Sequence, residues 1–381
     1  MDLSDISHEN FCVAPWVNLH VSTKQDTKPC CSGGIITDKL SSGNWNYFEK
    51  SNSKLIEIKQ ELLDGKTPKY CSNCKTERNW YKEFTKTPLI ISDINDFNLQ
   101  SIDARWNNTC QLSCTYCGDS DSSKWAQLVS MRSVESDTES YRMTQENINK
   151  IHQLIANNDI KRVSMLGGEP LLIKENIRLL ESLDQSVGID IFTNLNVVLS
   201  SNKLFEQLVQ RSNVKWYVSM ETIGKKFEFV RRGANWDRQV YNLEKLTIET
   251  QGSVTLQSQY CVYNALHLHE LYEFADQYPG LGINWGSAMH HPQYLNFLNF
   301  PKVFKQQSLD QIDRCLTQWP ENTHSLTVIR QQVVDNMDST VPDAVEKCIE
   351  WHQKQESQFF NNQFDFVELW PEYMVNQTTC V

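Results

Sequence analysis

The 381-residue chain is 40% hydrophobic and 10% aromatic, and it carries a formal net charge of −11. This content supports a buried core with one large domain and smaller attachments, and it excludes a disordered chain. The acidic balance excludes general capture of nucleic-acid backbones. The first ten residues are polar and acidic, and no apolar run is long enough to cross a membrane, so a cytoplasmic protein is expected. In that reducing compartment twelve cysteines point to metal ligation and not to disulfides, and eight of them fall within the first 117 residues. The scattered Cys261, Cys315, Cys348 and Cys380 read as ordinary thiols.

Near the N-terminus Cys12 precedes Pro15 to Val21, whose alternation predicts a strand, and Asp26 to Pro29 reads as a turn before Cys30-Cys31. A hairpin here would bring Cys12 and Cys30 or Cys31 to one place. Ser53 to Leu63 has the spacing of an amphipathic helix, ended by Asp64-Gly65, and Cys71-Ser-Asn-Cys74 follows. A C-x2-C pair meeting a second cysteine pair lets four thiolates surround a metal, which zinc also accepts.

From about residue 99 short apolar runs alternate with amphipathic helices, the pattern of successive βα units on a parallel sheet. Ser101 to Arg105 is the first strand, and Cys110-x3-Cys114-x2-Cys117 follows it directly. Three thiolates in so short a loop can hold three irons of a cubic cluster and leave the fourth open, although a zinc site uses similar spacings. Thr144 is placed to cap a helix reaching Ile155. The strand Arg162 to Leu166 runs into Gly167-Gly168-Glu169-Pro170, where two glycines allow close backbone approach and the proline opens a helix. Further strands are expected at Asp190 to Asn194, Val214 to Thr222, Val254 to Val262 and Leu281 to Ser287, and helices at Trp236 to Glu249 and Ala265 to Gln277. His290-His291-Pro292 reads as a surface turn and not as a metal site. Helices at Ser308 to Leu316 and Leu326 to Met337 follow, and the aromatic segment Phe364 to Tyr373 is expected to pack back on the core.

The cysteine loop, with Tyr116 at its aromatic position, and Gly167 to Pro170 one strand later, resemble the radical S-adenosylmethionine (radical SAM) superfamily. The resemblance implies an α/β fold: a partial (β/α)6 TIM-like barrel at 99–290, a small cysteine-rich α+β module at 1–98, and a mainly helical extension at 291–381. It implies a [4Fe-4S] cluster on Cys110, Cys114 and Cys117. S-adenosylmethionine would be held by Tyr116, Gly167, Gly168, Glu169, Pro170, Thr193, Asn194, Ser219, Glu221 and Arg231, the last ahead of its neighbour Arg232. Glu221 stands where the family usually has Asp. The N-terminal cysteines Cys12, Cys30, Cys31, Cys71 and Cys74 resemble the twitch or SPASM auxiliary modules of one subgroup, with one of the adjacent pair ligating. They imply a second iron–sulfur cluster, with structural zinc as the alternative. In better-known members that module follows the core, whereas here it precedes it.

By family chemistry the cluster passes an electron to the bound sulfonium, and the 5′-deoxyadenosyl radical released abstracts hydrogen from a substrate. The subgroup analogy implies oxidative modification of a peptide or protein, with an electron donor such as flavodoxin or ferredoxin. The alternatives are a small-molecule substrate (a sugar, nucleotide or amino acid) and a non-catalytic zinc scaffold.

Overall fold

Strands form where apolar and polar residues alternate, and the alternation decides which face of each strand meets the helices. The computed structural model describes residues 1–381 apart from 8, 37–39, 41–44, 46–51, 72–77, 133–140, 251–252, 321–322 and 376–381, with the backbone alone for 78–80, 323 and 375. Two units make up the chain: 1–111, 119–193 and 200–215 form the first, and 112–118, 194–199 and 216–381 the second.

The first unit contains β1 (Asn18–Val21), β2 (Thr27–Lys28), β3 (Ser101–Ala104), β4 (Arg162–Met165) and β5 (Gly188–Thr193), in the order β2-β1-β3-β4-β5. β1 and β2 form the expected antiparallel hairpin, and β1 also pairs in parallel with β3. Pro15 to Val17 is not strand: Ala14–Val17 is a helical turn with proline in its first positions. Proline suits a helix start, because its missing N–H would lack an intrahelical partner there anyway.

The register aligns Leu19, Ile102, Val163 and Ile189, all buried, on one face of the four parallel strands. The opposite face carries His20, Asp103, Ser164 and Asp190 in one row, with Asn18, Ser101 and Arg162 in the next. All seven are buried polar residues. The expected Ser53–Leu63 and Gln145–Asn157 helices are present, the second capped by Thr144, whose hydroxyl accepts from the backbone N–H of Asn147 at 3.3 Å. Its Ile151 and Ile155 are buried, each worth about 1.5–3 kcal/mol over exposure.

The second unit carries the rest of β6 (Val214–Ser219), cut by the unit boundary after Lys215, with β7 (Val254–Tyr260) and β8 (Gly282–Ala288), paired in parallel in that order. The outer edge of β8 donates Trp285 N–H to Ser325 at 3.1 Å and Ala288 N–H to Gln332 at 3.0 Å. Helix Thr323–Asp335 thus covers backbone that would otherwise template another strand. The predicted helix at 265–277 is the shorter Leu268–Ala275, because the Asn264 side chain accepts from Cys261 N–H and holds a turn before it. The helix expected at Ser308 extends over Lys302–Gln318, and Ala344–Gln355 is an additional one. The expected architecture, α/β with parallel strands that do not close within either unit and a helical C-terminal part, is the one observed. No helix among the described residues is long and apolar enough to cross a membrane.

The aromatic segment packs inward as expected. Trp370 donates its indole N–H to Tyr263 O at 3.0 Å, Tyr373 its hydroxyl to Val262 O at 2.6 Å, and Phe366 stacks on His352 at 4.0 Å. His290, half-buried, follows β8, and His291, exposed, lies in a bend. Burial drives the His352 imidazole down to about 3, so it remains neutral in this aromatic core.

His267 pins the last described helix, Glu372–Val375, to this core: its Nε2 lies 2.6 Å from Glu372 and its Nδ1 3.1 Å from Glu270. Burial would lower its pKa, but the two carboxylates outweigh it and raise the imidazole to about 9 from an ordinary 6.5. A raised pKa contributes stability that is complete below pH 6.5 and is lost as pH rises towards 9. Urea denaturation should therefore show wild type losing about 2 kcal/mol relative to His267→Gln between those pH values. A constant difference between the two proteins would contradict this.

Candidate active site

The two sequence signatures meet first through glycine. Gly167, two residues after the end of β4, has φ +128°, a region that side chains disfavour. A Cβ on Gly168 would fall 2.2 Å from Thr109 O and 2.6 Å from Asn108 O. Only glycine lets this turn lie against the backbone that leads into Cys110, where Glu169 N–H donates to Thr109 O at 2.7 Å. Residues 107–110 are fixed from the other side as well: Cys110 N–H donates to the Ser123 hydroxyl and Ser123 N–H to Asn108 O.

Glu169 is fully buried, and its Oε1 accepts from Leu171 N–H at 3.1 Å and from the Thr193 hydroxyl at 2.6 Å. The carboxylate therefore ties the turn to the last residue of β5. Pro170 begins a 3-10 turn whose carbonyl accepts from the Asn176 amide.

In the second unit Ser113 N–H donates to Arg232 O at 2.9 Å and Thr115 N–H to Val230 O at 2.8 Å. The Cys114 segment thus lies along residues 230–232, just after helix Gly224–Val230. Arg231 reaches back to it: one terminal nitrogen is 2.9 Å from Glu221 Oε1, the other 3.9 Å from Cys114 Sγ, and its guanidinium lies 5.7 Å from the centre of the Tyr116 ring. Tyr116 donates its hydroxyl to the same Glu221 oxygen at 3.0 Å. Burial would lower Arg231, but Glu221 outweighs it and holds the guanidinium charged. Burial pushes the Cys114 thiol up to about 11 against the pull of Arg231. Burial and the neighbouring Glu221 keep the Tyr116 phenol protonated, although Arg231 opposes them.

Asn194 and Asn196 belong to a separate turn: Asn196 N–H donates to Asn194 Oδ1, and the Asn196 amide donates to Asn235 O and Gln239. Ser219 is the last residue of β6, two residues before Glu221, which lies in the bend that follows.

The chemistry of the donors fits an iron–sulfur cluster. Three cysteines lie within eight residues, and a buried permanent cation beside Cys114 favours the thiolate that metals bind. Among the described residues no three His, Cys, Asp or Glu side chains already surround a common metal position.

The N-terminal cysteines Cys12, Cys30, Cys31 and Cys71 lie in the first unit, and Cys74 lies outside the described residues. Gly34 N–H donates to Tyr70 O at 2.7 Å, joining the Cys30-Cys31 loop to the residue before Cys71. Tyr81 stands where Cys30, Cys31 and Cys12 all bear on it: burial first, then those thiols and Asp103, raise its phenol well above its ordinary value.

Two polar groups were not read from the sequence. One is the first unit's polar face, where His20 and Asp103 meet at 2.7 Å and Arg162 lies 3.4 Å from Asp190 and against Glu83. Strict alternation in Ser101-Ile-Asp-Ala-Arg105 and Arg162-Val-Ser-Met165 was the available signal. The other is the buried pair Arg232–Glu356, whose members are 124 residues apart with no local signal to announce it.

Three comparisons bear on this arrangement. Residues 106–256 match the family described as the Radical SAM superfamily. The human Molybdenum cofactor biosynthesis protein 1 is 24% identical over 213 residues, which span 56% of this chain and 31% of that protein. Among solved structures, native anSMEcpe with bound AdoMet and Kp18Cys peptide is similar at 15% identity and a TM-score of 0.42, over 59% of this chain and 62% of that one. Streptococcus suis SuiB bound to precursor peptide SuiA is similar at 16% identity and a TM-score of 0.41, over 68% and 58%. The chain thus spans under a third of the human protein and about three fifths of these structures.

Gly168→Ala is expected to lower the thermal midpoint and to raise hydrogen–deuterium exchange in residues 107–123, because the new Cβ must displace the Asn108–Thr109 backbone. Unchanged exchange there would contradict the contact. The matched region, residues 106–256, contains both signatures at the turn and loop just described, and over that region the chain is similar to the Radical SAM superfamily.

Proposed function

We propose that this chain cleaves S-adenosylmethionine reductively at a [4Fe-4S] cluster held by Cys110, Cys114 and Cys117, and that it uses the reaction to oxidise a peptide or protein. The observation that carries the reading is the Glu169–Thr109 hydrogen bond with the Gly168 contact beside it: the Gly-Gly-Glu-Pro turn is built against Asn108 and Thr109, some 60 residues earlier, the residues that lead into Cys110. When bound, the cluster and cofactor supply an electron, an open iron and a 5′-deoxyadenosyl radical, chemistry that no side chain provides.

The protein's own part is binding and orientation. Gly167 and Gly168 offer backbone to the cofactor's ammonium group, while Glu169 and Pro170 fix their turn. Arg231, whose Nε has no hydrogen-bond partner among the described residues, is assigned the cofactor carboxylate. Thr193, Asn194, Ser219 and Glu221 are assigned the ribose hydroxyls, and Tyr116 orders the loop through Glu221.

The twitch-like reading of Cys12, Cys30, Cys31, Cys71 and Cys74 supports a second iron–sulfur cluster, with zinc as the alternative. It also supports the peptide or protein substrate. A flavodoxin or ferredoxin is the proposed electron donor, and the cytoplasm, where thiols stay reduced, the proposed location. One observation favours a second reading. The charged face of β1 and β3–β5 suits a small polar metabolite, because a buried sheet face with that many ionisable groups is not built for apolar packing.

Anaerobic reconstitution should give about eight irons per chain in wild type and about four in a Cys110/Cys114/Cys117→Ala variant, with 5′-deoxyadenosine formed under dithionite by wild type alone. A count of four falling to none would leave the enzyme but reduce the N-terminal site to zinc. No iron and no 5′-deoxyadenosine would sink the proposal.

A further inference from the structure

Residues 230–232 act as a strap with three outputs. The carbonyls of Val230 and Arg232 accept from the amides on either side of Cys114, and the Arg231 side chain reaches Cys114 and Glu221. The Arg232 side chain makes a different set of contacts, against Glu356 and over the rings of Phe229 at 4.2 Å, Phe364 at 4.4 Å and Phe360 at 5.0 Å.

Arg232 is 2% exposed and Glu356 5%. Burial pulls the Arg232 guanidinium down to about 10, so it is charged at neutral pH and needs a partner. The chain takes an unusual path to supply one. Glu356–Phe360 is a π-helical turn, and Asn361 and Asn362 follow it with φ +54° and +53°. Helix ends of that kind are uncommon and mark places where side-chain position outweighs regularity. Here the turn presents Glu356 and Phe360 to Arg232 together, while Glu356 Oε2 accepts from Phe364 N–H at 3.2 Å and holds the third element of the box.

We propose that Glu356 is a positioning residue for the Cys114 loop, acting through Arg232 and the strap. The inference rests on the reading of Cys114 as a cluster ligand. If the Arg232 side chain were released, both the carbonyl that holds Ser113 and the adjoining Arg231 would lose their fixed point.

The test uses full-length protein, reconstituted anaerobically, and three variants: Glu356→Gln, Glu356→Asp, and the apolar double variant Arg232→Met/Glu356→Leu. The double variant removes both buried charges and so keeps the fold. Three readouts apply: the thermal midpoint, the electron paramagnetic resonance spectrum of the reduced cluster with and without S-adenosylmethionine, and S-adenosylmethionine affinity by equilibrium dialysis. The double variant is expected to melt near wild type yet show an altered cofactor-induced spectrum and about tenfold weaker binding. Glu356→Gln should show the same spectral and affinity changes at a lower thermal midpoint, because it leaves the Arg232 charge unpaired, and Glu356→Asp should restore most of the spectrum and the affinity. A double variant with wild-type spectrum and affinity, or a Glu356→Asp protein no better than Glu356→Gln, would overturn the positioning role alone. A wild type whose spectrum does not respond to S-adenosylmethionine would overturn the cluster assignment, and the proposal with it.

Discussion

A guanidinium and a carboxylate enclosed together in a dry interior are the constraint on which the second unit's chemistry depends. Removing either ion from water costs several kcal/mol, and Coulomb attraction offsets that only in good geometry. Arg231 and Glu221 meet this condition at 2.9 Å, and Tyr116 adds its hydroxyl to the same oxygen. The requirement extends to the backbone. The carbonyls of Val230 and Arg232, at the end of helix Gly224–Val230, have no intrahelical donors, and the cysteine segment supplies them. Helix termination, loop placement and charge neutralisation are therefore one arrangement, and the thiol of Cys114 is fixed within it.

The first unit solves a different problem with the opposite kind of residue. Where the second unit relies on charged side chains, the turn after β4 relies on having none. Thr109 O occupies the space that a Cβ at position 168 would need, and Glu169, one residue later, spends one carboxylate oxygen on Leu171 N–H and Thr193. A carboxylate so engaged acts as a brace. The Glu169 side chain is thereby turned onto Leu171 and Thr193, a placement that the four letters Gly-Gly-Glu-Pro do not announce.

Features were legible in the sequence where the determining interactions are local. Thr144 caps its helix because the cap reaches only three residues ahead, and β3 to β8 appear because strand periodicity is read over five or six positions. Pro15 misled because its surroundings alternate like a strand while its ring favours a helix start. The adjacent arginines were ranked, Arg231 ahead of Arg232, by the family resemblance and not by any local pattern. Arg231 and Arg232 differ in their contacts because successive side chains on the strap reach different partners, Glu221 ten residues back and Glu356 124 residues on. The polar face of β1 and β3–β5 was written in the alternation, but its significance depends on register, which sets His20, Asp103, Ser164 and Asp190 in a row.

The same physical device recurs at three arginines. Arg231 lies over Tyr116 and against Glu221. Arg232 lies over three phenylalanines and against Glu356, and Arg162 over Tyr81 and Phe84 and against Glu83 and Asp190. A guanidinium suits such places because its planar, weakly hydrated face stacks on a ring while its edge donates to a carboxylate. Lysine cannot do both at once, since its compact ammonium is strongly hydrated and has no flat face. Burial also works on the partner: at Asp190 desolvation raises the carboxyl against the pull of Arg162. The three pairs therefore contribute less to net stability than their number suggests, since each must first offset its own desolvation. What they specify instead is direction. A planar cation held between ring and carboxylate has little rotational freedom, and at Arg231 that restriction is passed directly to the loop bearing Cys114.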